Sequence, residues 1–140
     1  MLNVFIIKVM SLLERYINEL TEELKIDDMN IGDVQKRLPS RRHFWAARLI
    51  NHKRDLLLLQ DKRKSRTVII ANELQSAAAV HLTKPEAQKM AYECDEIMTM
   101  TREIHELELI IEFLEKTEKN LNSMSFDLKN IIALMQMEML

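Results

Sequence analysis

Nine basic side chains crowd into one stretch of the chain: Arg41, Arg42, Arg48, Lys53, Arg54, Lys62, Arg63, Lys64 and Arg66. Guanidinium and ammonium groups at this density attract phosphates, and binding releases condensed counterions, which makes affinity fall as salt rises. The excess is one-sided. Residues 31–66 hold eleven basic residues against Asp33, Asp55 and Asp61, while the flanking segments are acidic and the whole chain is near neutral at −2. A solvated helix face would also carry charge, but a surplus of one sign points to a polyanion, to an acidic partner, or to pairing inside an assembly. Phe44 and Trp45 lie among the cations, where aromatic rings can stack on bases. Trp45 falls on an apolar stripe, so both rings are expected in the core.

Other chemistry finds little support. His43, His52, His81, Cys94 and His105 are scattered without paired ligand spacing, so no metal site is expected. Glu22, Glu23, Asp27 and Asp28 lack a calcium-loop pattern and read as solvated acids at a helix end. Glu103-Ile104-His105 does not supply the Glu-x-x-His step of a di-iron bundle. With no nucleophile elbow, phosphate loop or zinc signature, the chain is expected to be neither an enzyme nor a cofactor carrier. Cys94 is the single cysteine, which excludes an intrachain disulfide and suits a reducing compartment. It lies on an apolar stripe and reads as a buried thiol.

Long helices must position the basic block. The 140 residues contain one Gly and two Pro, too few for the turns that strands require. Met, Leu, Ile and Ala dominate the apolar set, a helical balance. The reading is therefore all-α: a few long helices with short joints and coiled-coil-like packing. Residues 2–25 form a first helix, with Phe5, Val9, Leu12, Leu13, Tyr16, Leu20 and Leu24 at steps of three and four. Val4–Met10 is apolar but short and interrupted by Lys8, so no membrane span is expected. Met10 offers an alternative start, which would make Met1–Val9 an upstream extension.

Asn30 is expected to cap a short helix from Ile31 to Leu38, stopped by Pro39. Ser40 then caps a long helix with Trp45, Leu49, His52, Leu56 and Leu59 inward, continued by Val68 to Leu74 and ending between Gln75 and Leu82. Thr83-Lys84-Pro85-Glu86 is a capping box with Pro in the first turn. The helix it opens runs to Asn120. Ile97, Met100, Ile104, Leu107, Ile111, Leu114 and Leu121 form a seven-residue repeat on it, with acids outside. Asn120–Ser123 is a joint, and a final helix follows from Ser125 to Met139. Phe126, Leu128, Ile131, Ile132 and Met135 give that helix more apolar surface than one neighbour covers, which suits contact between subunits. The expected organisation is a helical domain at 1–122, with the basic block at 36–66, and a C-terminal self-association helix at 123–140.

Several of these features together resemble the UvsY-type recombination mediators of T-even-like bacteriophages. The matching residues are Ile26-Asp27 after the first helix, Trp45 near the start of the long helix, Lys53-Arg54, and the pair Arg63-Lys64. The tail matches best, where Ser125-Phe126-Asp127-Leu128-Lys129-Asn130-Ile131 resembles the family's closing pattern of a Phe followed three residues later by Lys. The likeness extends loosely over residues 20–138. Val68 and Ile70 are apolar where the family would place further basic residues.

The resemblance implies a small ring assembled through the C-terminal helix, working in the cytoplasm of the infected bacterial host. It implies sequence-independent binding of single-stranded DNA, for which the nine cations of the basic block named above are the candidates. It also implies two protein partners, the phage recombinase and the phage single-strand-binding protein, and a role in loading the first onto DNA covered by the second. Neither a membrane nor a cofactor is part of this expectation. The competing expectation is a helical coiled-coil adaptor or structural assembly protein that never touches DNA, its basic block docking the acidic third of a neighbouring subunit.

Overall fold

The computed structural model describes the backbone of residues 2–139 and the side chains of residues 11–139. Phe5 and Val9, expected on the stripe of the first helix, have side chains outside the described set. Four helices and no strand are found among the described residues: α1 (Leu2–Glu23), α2 (Ile31–Ala77), α3 (Lys84–Glu93) and α4 (Asp95–Glu138). The all-α reading therefore holds. The chain divides into two compact units. Residues 53–109, with 1–10, form the first; residues 11–52 and 110–140 form the second.

In the second unit, α1, the first part of α2 and the second part of α4 bury Tyr16, Leu20, Val34, Leu38, Trp45 and Leu49, together with Ile110, Leu114, Leu121 and Leu128. Pro39 does not stop a helix here; it lies inside α2. An interior proline costs about 3 kcal/mol. Ile31, Val34 and Leu38 before it and Trp45 and Leu49 after it keep one buried face. Each such burial gains about 1.5–3 kcal/mol, so packing overrides the breaker. Ser40 is consequently no cap, and its hydroxyl donates to the Arg37 carbonyl at 2.9 Å. Asn30 does accept the first helical bond, from Val34 N at 3.0 Å. Its side chain turns back to close the loop, accepting from Asp27 N and donating to the Lys25 carbonyl.

The expected joint at Asn120–Ser123 is also absent, because α4 runs through it. Leu114, Thr117, Leu121, Met124 and Leu128 continue the same buried phase at steps of three and four. Asn and Ser cost under about 1 kcal/mol each in a helix, far less than that stripe gains.

In the first unit, Ala87 and Ala91 of α3 pack on Ala71 of α2, flanked by Ile70 and Leu74. The capping box forms as expected: the Thr83 hydroxyl accepts from Glu86 N, and the Glu86 carboxylate accepts from Thr83 N at 3.0 Å. Hydrogen bonds to the carboxylate from the Thr83 backbone, most strongly, and from the Thr83 side chain hold the Glu86 carboxyl below its usual range. The expected single helix to Asn120 instead breaks at Cys94, whose backbone is extended. Ile97 lies six residues after Ala91, about 240° around a continuous helix. Breaking at Cys94 re-phases the chain so that Ile97, Met100, Ile104 and Leu107 are buried in turn. Cys94 itself is half-buried rather than enclosed. Asp95 and Glu96 then occupy the first turn of α4, where the helix dipole favours acids.

Candidate nucleic-acid interface

All nine expected cations lie on α2, but their surroundings divide them. Before residue 53 they are held. Arg41 makes a two-pronged ion pair with Glu23 and a longer one, 3.7 Å, with Glu19. That bond to Glu23 raises its pKa above the usual arginine value, ahead of the opposing effect of burial. Arg48 donates to Glu19 at 2.9 Å. Its guanidinium also faces three rings, 4.1 Å from Phe44, 4.7 Å from Trp45 and 4.8 Å from Tyr16. Arg42 donates to the Asn122 amide oxygen of α4, a partner that leaves its charge uncompensated.

The rings form their own assembly. Tyr16 meets Trp45 edge-on at 5.4 Å, and Phe44 meets Trp45 edge-on at 5.6 Å. The Tyr16 hydroxyl and His52 Nε2 share a 2.9 Å hydrogen bond. Burial raises the Tyr16 pKa, partly offset by the positive charge of Arg48. Trp45 is fully buried, as its stripe position requires, while Phe44 is half-buried between Arg41 and Arg48. Glu23, expected to be solvated, is drawn into this cluster, and Trp45 Nε1 also donates to it at 3.4 Å.

From residue 53 onward the arrangement opens. Arg54, Leu57, Asp61, Lys64 and Val68 recur at steps of three and four, and all are exposed. Neither Arg54 nor Lys64 forms an ion pair with a described residue. Lys62 is exposed too, in the electrostatic field of Glu96. Lys53 is half-buried and has interactions of its own. Arg63 is fixed without losing charge: it donates to the Thr101 hydroxyl at 3.2 Å, and its guanidinium lies 5.7 Å from the Tyr92 ring centre. Arg66 is neutralised, through paired bonds of 2.8 and 3.0 Å to Glu96. The Arg66 bond is the main reason the Glu96 carboxyl stays below its usual range.

The positive excess of this stretch therefore rests on Arg54, Lys62, Arg63 and Lys64, offset in part by Asp55 and Asp61, while Glu96 pairs with Arg66. That excess is smaller than charge counting implied, and it is localised. The pairings Arg41–Glu23, Arg48–Glu19 and Arg66–Glu96 were missed by counting. The spacing of Glu19 and Glu23, one turn apart, opposite Arg41 and Arg48, two turns apart, was the available signal.

The tail residues also separate. Leu128 is fully buried in the chain's own core, and Ile132 and Met135 are half-buried. Phe126 is 72% exposed, and Ile131, Leu134 and Met137 join it outside. The outward apolar face is thus Phe126, Ile131, Leu134 and Met137, with Leu128 on the opposite side. Among the described residues no cluster of ligands suits a metal ion, and no helix is long and apolar enough to cross a membrane. No protein-family model, curated protein or solved structure matches the chain.

Proposed function

We propose that this chain is an oligomeric, sequence-independent binder of single-stranded DNA, acting as a mediator of the UvsY type in phage recombination. The observation that carries the reading is the exposed, unneutralised charge of Arg54, Lys62 and Lys64 on α2, with Arg63 fixed beside them. A helix with scattered exposed cations suits a flexible phosphate chain better than the groove of one duplex sequence. The exposed tail face of Phe126, Ile131, Leu134 and Met137 supports self-association. Several such basic faces linked in one assembly would hold a strand at high effective concentration, so modest contacts add to tight binding. Holding the strand in a form that favours the phage recombinase over the single-strand-binding protein shifts the population of DNA states without catalysis.

A second reading has its own observation. Leu57, Leu58, Val68 and Ile69 are exposed beside the cations of α2. Such a mixed face also suits an acidic, apolar protein partner, as an adaptor would need.

Fluorescence anisotropy with labelled strands separates the two. The mediator reading expects single strands of unrelated sequence to bind alike and more tightly than duplex. Binding to neither form, or preference for one duplex sequence, contradicts it. Sedimentation of a chain ending before Ser123 tests the assembly: it should be helical and mostly dissociated, with weaker DNA binding. An unchanged oligomer removes the tail from that role.

A further inference from the structure

The geometry points to a base-stacking pocket on the first unit, with Tyr92 as its platform, that takes one unpaired base of the bound strand. This rests on the single-strand reading above and names the residues that would engage a base rather than a phosphate. The cleft lies where α2 faces α3, with Gln60, Arg63, Lys64 and Thr67 on one wall and Gln88 and Tyr92 on the other. Each wall follows helical spacing: Gln60, Arg63 or Lys64, and Thr67 succeed one another at steps of three and four, as do Gln88 and Tyr92.

Tyr92 is a half-exposed aromatic in a chain whose other described rings, save Phe126, are buried or half-buried. It is off the Ala87–Ala91 face that packs on α2, so the core does not require it. A half-exposed ring with a guanidinium over it, 5.7 Å from its centre, is the chemistry that single-strand binders use for bases, because every base has a π-face. Arg63 is held by Thr101, so its plane is in place before the strand arrives. It contributes both a cation near the ring and a planar donor for the adjoining phosphate. Lys64, exposed at the rim, reaches the same backbone.

The amides of Gln60 and Gln88 each donate and accept, so they suit the edge of any base without choosing one. Asp61 also lines the cleft, and its carboxylate accepts from exocyclic amines while repelling a phosphate there. The base therefore enters and the phosphate stays at the Arg63–Lys64 rim. A lining that adds the apolar Val68 to the Tyr92 ring, two amides and one acid favours a nucleobase over a free phosphate or a lipid headgroup.

The test compares a deoxycytidine oligonucleotide, whose base carries an exocyclic amine, with an abasic strand of equal length and charge, using the full chain and anisotropy. The wild type should bind the base-bearing strand about tenfold more tightly, within the range of one stacked base. Tyr92→Ala should lose that preference while binding the abasic strand as the wild type does, and Tyr92→Phe should keep it. If Tyr92→Ala keeps the preference, or the wild type never shows it while still binding strands, the pocket is overturned and the phosphate reading stands. If the wild type binds neither strand, the single-strand reading itself fails. Far-UV circular dichroism establishes folding, and Gln88→Leu gives a second variant: it should reduce the preference about threefold, consistent with one lost neutral hydrogen bond, and an unchanged preference counts against the pocket.

Discussion

The two parts of α2 carry the same kind of charge and use it differently. Before residue 53, Arg41 and Arg48 meet Glu19, Glu23 and three aromatic rings, and they hold the second unit together. Beyond it, Arg54, Lys62 and Lys64 face solvent, and Arg63 is steadied by neutral groups. One charged helix thus pairs with its own fold at one end and exposes its cations at the other. Charge density is similar in both; what separates Arg41 and Arg48 from Arg54 and Lys64 is a carboxylate of another helix within reach, a partner that Arg66 also finds in Glu96. The lesson is general: net charge predicts a partner only after internal pairings have been subtracted.

The sharpest way to break this comparison is to remove cations from each part separately. In the open part, Arg54→Ala with Lys62→Ala and Lys64→Ala should weaken single-strand binding about 100-fold near 0.1 M salt, because three contacts each release about 0.7 counterion equivalents. Thermal unfolding should barely move, since exposed side chains contribute little to stability. Anisotropy and a melting curve give both readings. A large loss of stability would show that these residues are structural after all.

In the held part the pattern should invert. Arg48→Ala removes three ring contacts, worth about 0.5–1 kcal/mol each, and a partly screened pair with Glu19. A loss of about 2 kcal/mol in urea unfolding is expected, with single-strand affinity of the folded protein unchanged. An affinity drop without a stability change would place Arg48 on the DNA instead.

The smallest effect belongs to Arg66, the neutralised member of the open part. Glu96→Gln should release its charge and raise affinity a few-fold, as one added phosphate contact would. Acid does the same. The Glu96 carboxyl lies below its usual value of 4.5, so its pairing is present above that value and is lost as pH falls through the lower folded value. Titrating binding with pH in wild type and Glu96→Gln should show an acid-side gain that the variant lacks. Parallel curves would mean that the ion pair does not mask Arg66.

What the sequence made legible was local. The Thr83–Glu86 capping box and the Ile97–Leu114 repeat needed only neighbouring residues, and both are found. Pro39 and Asn120–Ser123 looked like breaks because they are poor helix formers, yet burial on either side outweighs their cost. The break at Cys94 had no local signal, because it comes from a change of buried face between Ala91 and Ile97. The Arg66–Glu96 pairing was equally invisible, because the two residues are 30 positions apart with no matching spacing to join them. Tyr92 escaped notice because an isolated aromatic in a short helix gains meaning only when Arg63 is seen beside it.

The most direct test of the division is the slope of log affinity against log salt for a single strand, in wild type, in Arg54→Ala/Lys62→Ala/Lys64→Ala, and in Arg41→Ala/Arg48→Ala. The open-part variant should flatten the slope by about two units, near 0.7 per lost contact, while the folded held-part variant keeps the wild-type slope. Equal flattening in both variants, or none in the first, would contradict the account.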